Sequence, residues 1–125
     1  MRRGRSTTAT GREGEEVAAR FLVERGYRIV ARNVRFRTGE IDLVADEGGC
    51  LVFVEVKTRS GPAFGTAAEG VTRQKQHQLV RLATLYLAGL GGDSRTCRFD
   101  VVAVERGQDG GWVCSLIQNA FSAGS

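Results

Sequence analysis

The sequence predicts one α/β domain, a mixed β-sheet flanked by helices in the order α-β-β-β-α-β-β. Three observations predict it. Two stretches carry apolar residues at the spacing of an amphipathic helix, and five shorter runs rich in β-branched and aromatic residues lie between Gly-rich turns. The second helical stretch stands between two strands and is long enough to cross back over a sheet. A length of 125 residues suits one domain and buries a core without disulfide or metal staples.

The first helix is predicted from about Glu13 to Arg25, with Ala18, Ala19 and Leu22 on one stripe, Phe21 slightly off it, and Gly26 as the stop. "YRIVARN" (27–33) and "GEIDLVA" (39–45) read as the first two strands. "DEGG" (46–49) is turn chemistry and leads into a third strand, "LVFVEVKTR" (51–59). "SGPAFG" (60–65) holds the only proline and marks a loop. The second helix is predicted over about Ala67 to Leu90, where Val71, Leu79, Leu82, Ala83, Tyr86 and Leu87 recur at helical spacing before "GLGGD" ends it. "RFDVVAVE" (98–105) and "WVCSLI" (112–117) are the last strands, joined across "GQDGG".

Composition narrows the function classes. With 42% hydrophobic and 26% charged residues the chain has the balance of a globular protein, and neither a transmembrane run nor the apolar core of a signal peptide is present. A cytoplasmic location and no membrane partner are therefore expected. Cys50, Cys97 and Cys114 are odd in number and far apart, without a CxxC pair, which argues against a zinc site or a disulfide framework. The net charge of +4 is carried by "MRRGRSTTATGR": Arg2, Arg3, Arg5 and Arg12 lie there without an acid, leaving 14 basic and 14 acidic residues elsewhere. Residues 1–12 read as a disordered basic arm suited to a polyanion, 13–121 as the domain, and 122–125 as a short tail.

The third strand poses the chemical question. Glu55 and Lys57 are two apart and leave the same face of a strand whose Leu51 and Phe53 belong in a core. A four-residue hairpin loop, Asp46–Gly49, would pair Ala45 with Cys50. Asp42 would then lie opposite Phe53 and Glu40 opposite Glu55, with all four charged groups on one side of the sheet. Clustered carboxylates need compensation, which Lys57 or a divalent cation such as Mg²⁺ can supply. The spacing also fits a solvated salt bridge between Glu55 and Lys57. Glu15 sits on the inward stripe of the first helix, where it takes a partner or simply favours the helix dipole. Lys75, on the stripe of Val71, Leu79 and Leu82, either snorkels outward or reaches a phosphate held at the carboxylates.

At these residues the chain resembles a known family. "GEIDLVA" followed by "FVEVKTR" is similar to the D…E-x-K core of the PD-(D/E)xK nuclease superfamily. Taken with "GEEVAARFL", "AFGTAAEGVTRQKQ", "RFDVV" and the terminal "NAF", the series from about Gly11 to Phe121 is identified as that of the YraN-type family of small bacterial proteins, similar to archaeal Holliday-junction resolvases. The resemblance implies a restriction-endonuclease-like fold. It implies Asp42, Glu55 and Glu15 as metal ligands, Lys57 beside the attacking water, and Gln74 and Lys75 as the "QK" of the second helix. The superfamily's proline is absent before Asp42, where Glu40 and Ile41 stand.

The expected function is that of an endonuclease dependent on Mg²⁺ or Mn²⁺, acting on branched or single-stranded DNA. Lys75, Gln74, Arg59, Arg35 and Arg37 are expected on the nucleic acid, and a homodimer would suit a two-fold substrate. The rival expectations are a nucleic-acid-binding protein that kept the fold without cutting, or a nuclease subunit that needs a partner.

Overall fold

The computed structural model describes residues 2–59, 71–91 and 95–122, with side chains from Arg12 onward and excepting that of Arg59. The elements are α1 (Arg2–Glu24), β1 (Arg28–Phe36), β2 (Gly39–Glu47), β3 (Cys50–Arg59), α2 (Arg73–Gly89), β4 (Cys97–Arg106) and β5 (Trp112–Phe121). Their order is the predicted one. The side chains of the basic segment before Arg12 lie outside the described residues, as do residues 60–70, where the second helix was expected to begin.

The strands form one sheet in chain order, β1-β2-β3-β4-β5. The pairs β1–β2, β2–β3 and β4–β5 are antiparallel, whereas β3 and β4 run parallel because α2 carries the chain back between them. Each helix covers one face. Ala18, Ala19 and Leu22 of α1 pack on Leu43, Ala45, Val52, Val54, Val102 and Val104. On the other face Leu79, Leu82 and Ala83 of α2 pack on Ile41, Phe53, Phe99 and Val101. The central strands β3 and β4 are covered on both sides, which explains their near-continuous apolar runs.

Several boundaries differ from expectation, and α1 begins at Arg2 rather than about Glu13, taking in the segment expected as a disordered arm. Helix α2 starts at Arg73 rather than Ala67, because the Thr72 hydroxyl accepts a 3.1 Å hydrogen bond from the Lys75 N–H and caps it. Val71 lies ahead of the helix yet stays buried at 3% exposure. The β2–β3 hairpin turns through two residues, not four. Gly48 (φ 62°) and Gly49 (φ 88°) both take left-handed backbone, the requirement of a tight hairpin turn, so Asp46 and Glu47 remain in the strand. Glu47 therefore pairs with Cys50 and Ala45 with Val52, correcting the expected Ala45–Cys50 pairing by two residues.

A second charged residue is buried inside the sheet. Asp100 is fully buried, and Arg98 binds it through Nε at 2.9 Å and Nη2 at 3.0 Å. The Tyr27 hydroxyl donates to it at 2.8 Å and the Asn119 N–H at 2.9 Å. These bonds satisfy the carboxylate and pin β5 at its register shift between Phe99 and Val101. The "RFDVV" segment thus has a structural use.

Candidate metal centre

Pairing between β2 and β3 stops at Leu43–Val54. One residue further out, β2 turns: Ile41 and Leu43 are two apart but enter cores on opposite faces of the sheet. Asp42 lies between them, and its Oδ2 accepts the Val56 N–H at 2.9 Å. That bond stands where the next main-chain rung would fall, so the carboxylate holds open a fork between two strands. The corrected register would bring Asp42 opposite Glu55 rather than diagonal to it.

The fork collects acids from two elements. Ligand-capable oxygens of Glu15 (α1), Glu40 and Asp42 (β2) all lie within 4.8 Å of one another. Asn33 of β1 ties two of them together, its Nδ2 donating to Glu15 Oε1 at 2.6 Å and to Glu40 Oε2 at 2.8 Å. Asn33 does so from left-handed backbone (φ 49°), a conformation its short polar side chain tolerates. Arg35 pairs with the other Glu40 oxygen at 3.4 Å. Groups from both helices reach the fork. Glu15 reaches in from the α1 side, while Glu55 is met by Lys75 from the α2 side.

Glu15 arrives through its neighbour Gly14. A Cβ on Gly14 would stand 2.1 Å from Thr58 Oγ1, so only glycine lets α1 come this close to β3.

Glu55 is 6% exposed, and its Oε1 has no hydrogen-bond partner. Its Oε2 lies 3.9 Å from both Lys57 Nζ and Lys75 Nζ. Burial is the main cause that raises the Glu55 carboxyl above its ordinary range; Lys75 and Lys57 pull it down and Glu15 pushes it up. Asp42 is raised to about 7, by burial first and then by the Glu55 charge and that of Glu15, against the Val56 N–H and Lys75. A buried carboxylate oxygen without a donor is costly. Hard oxygen donors in this number and proximity suit a small divalent cation, and this acidic cluster could hold one.

The remaining expected residues are more dispersed. Gln74 is exposed on α2, and Arg37 is exposed at the β1–β2 turn. The side chain of Arg59 lies outside the described residues. Reading the sequence placed Glu40 near the charges but gave it no role, and it missed Asn33. Strand spacing gives no hint of either, because both depend on the irregular backbone at Asn33 and Asp42.

The family model described as "Uncharacterised protein family UPF0102" matches residues 14–104. The UPF0102 protein STH1475 of Symbiobacterium thermophilum is 64% identical over 113 residues, covering 90% of this chain and 96% of that protein. This chain belongs to the UPF0102 family. It is the YraN-type family that the motifs resemble. A further UPF0102 protein, CT2262 of Chlorobaculum tepidum, is 55% identical over 94 residues, 75% of this chain and 73% of that one. The family match contains every acid of the fork and both lysines at Glu55. Among solved structures, Pyrococcus furiosus SfsA in complex with Ca²⁺ is similar at a TM-score of 0.38 and 14% identity, over 86% of this chain and 62% of that one. No helix among the described residues is long and apolar enough to cross a membrane.

Proposed function

We propose that this UPF0102 protein is a metal-dependent endonuclease, using Mg²⁺ or Mn²⁺ to hydrolyse phosphodiester bonds in branched or single-stranded DNA. One observation carries the reading: the oxygens of Glu15, Glu40 and Asp42 gather within 4.8 Å beside the buried, unsatisfied Glu55 and its two lysines. A salt bridge on a solvated face would leave no orphaned oxygen and would not need four acids.

Asp42, Glu15 and Glu55 would hold the cation, with Glu40 as a fourth donor that Asn33 orients. When bound, the ion supplies Lewis acidity toward a phosphate oxygen and lowers the pKa of a coordinated water. Lys57 and Lys75 neutralise charge that the acids cannot. At 3.9 Å from Glu55 each ammonium is loosely paired and about one-third exposed, so it can turn toward an entering phosphate. Lys57 would orient the attacking water or, once it has shed its own proton, accept one from it. Arg35 and Lys75 border the acids, and with Arg37 and Gln74 they would position the backbone rather than read bases.

Cleavage of junction, flap, linear and single-stranded DNA with Mg²⁺ or Mn²⁺ tests the reading. Glu55→Ala and Lys57→Ala are each expected to lose at least 100-fold in rate, on the order of one essential acid–base or electrostatic contribution. Variants that cut as fast as wild type would remove these residues from the site.

A further inference from the structure

The 17 residues of α2 include Arg73, Lys75, His77 and Arg81 and no acid. Solvent-facing helices ordinarily intersperse both signs. Gln74, His77, Gln78 and Arg81, spaced i, i+3, i+4 and i+7, form one stripe of this helix. With Thr72 and Lys75 they line a groove of about 450 Å³ that no carboxylate borders among the described residues. The β1–β2 turn is tied to the same helix, since Gln78 Nε2 donates to the Thr38 carbonyl at 2.8 Å. Arg37 is next in the chain.

Ion pairing elsewhere makes this distribution unusual. Arg20, Arg32, Arg35, Arg98 and Arg106 each sit against a carboxylate. Among the described residues Arg37, Arg73 and Arg81 do not. Of the others without one, Arg25 stacks on Phe21 and Arg12 borders the cleft beside Glu15. Among the described residues the arginines without a carboxylate are thus concentrated on α2 and the turn tied to it.

We propose that this groove binds a phosphodiester backbone and grips nucleic acid without any metal, leading the strand past Lys75 to Glu55. Only the last clause rests on the nuclease reading. From Gln74 to Arg81 the stripe is about 10 Å long at ~1.5 Å per residue, equal to about three nucleotide steps of one strand at ~3.4 Å of rise along a duplex axis. That length suits a polymer rather than a single phosphate. Lys75 belongs to the groove and also lies 3.9 Å from Glu55, which joins the two regions.

The test is fluorescence anisotropy with labelled four-way-junction and single-stranded DNA in EDTA, titrating salt from about 50 to about 200 mM. Arg81→Gln is expected to weaken binding several-fold and to reduce the salt slope by about 1, and Arg81→Glu to weaken it further. Arg28→Gln, the same charge change at an arginine paired with Asp46, is expected to leave affinity within two-fold. Arg81 is exposed, so the melting temperature should not move.

Unchanged affinity and slope in both Arg81 variants, or an equal loss in Arg28→Gln, would overturn the groove while leaving any cleavage intact. Binding that depends on Arg81 without cleavage in Mg²⁺ or Mn²⁺ would support the groove and remove the nuclease reading. A wild-type protein that binds neither DNA would end both.

Discussion

Replacing Gly14 with alanine tests whether the close approach of α1 to β3 assembles the fork. The new Cβ would meet Thr58 Oγ1 at 2.1 Å, Cγ2 at 3.0 Å and Cβ at 3.1 Å, where ordinary contact begins at 3.4 Å. Rotating Thr58 can move Oγ1 aside but leaves its Cβ at 3.1 Å, so the helix must still yield. A full retreat of ~1.3 Å along the 2.6 Å Glu15–Asn33 bond would stretch it to roughly 3.9 Å, beyond hydrogen-bond range. Overpacking costs about 1–3 kcal/mol, against which alanine's better helix propensity returns up to ~1 kcal/mol. A net loss of about 1–2 kcal/mol is expected in urea unfolding, together with weaker Mn²⁺ binding by calorimetry. Thr58→Ala removes the two closest atoms and leaves only the 3.1 Å contact. The double variant should therefore recover most of the stability and the metal affinity, giving a coupling energy of about 1–2 kcal/mol. Gly14→Ala with wild-type stability and Mn²⁺ affinity would refute the reasoning, as would a double variant no better than the single.

Stability should also depend on pH in an unusual direction. Asp42 is raised from 3.8 to about 7, so between about pH 4 and pH 7 the folded protein keeps a proton that the unfolded chain has released. Its contribution therefore falls as pH rises through that window, by at most about 4 kcal/mol at ~1.36 kcal/mol per pH unit. In EDTA, wild type should lose stability relative to Asp42→Asn from pH 4 to pH 7, and saturating Mg²⁺ should flatten the difference; a rising difference would reverse the assignment. At the other buried acid, Asp100→Ala leaves Arg98 without its main partner and frees the Tyr27 hydroxyl and Asn119 N–H. A loss of about 3–5 kcal/mol in denaturant unfolding is expected, and a cost below ~1 kcal/mol would show that the network adds little.

What could be read from the sequence follows from which physical signals are local. The helices announced themselves because Ala18, Ala19 and Leu22, and Leu79, Leu82 and Ala83, repeat at a period that only a helix places on one face. The order of elements and the mixed sheet followed from short Gly-rich turns and one crossover. The hairpin register was less secure, because "DEGG" admits a two-residue or a four-residue turn, and the left-handed backbone of Gly48 and Gly49 decides it. That error of two preserved the parity of the strand, and the contact of Glu55 with Lys57, within β3 itself, does not depend on it.

The site itself was legible only in part, for a related reason. Alternation assumes a regular strand, and the fork exists because β2 is irregular at Asp42 and β1 at Asn33. A carboxylate that replaces a ladder rung can bring together acids from both sides of a sheet, which periodicity forbids. Glu15 and Glu40 thus meet through Asn33, a residue whose contribution is a backbone conformation and one amide nitrogen. The cost of the arrangement is visible in the raised carboxyls of Asp42 and Glu55, and a cation would relieve both at once. The acids destabilise the metal-free domain and a bound cation would stabilise it, so stability measured with and without metal would report on the site even before any substrate is known.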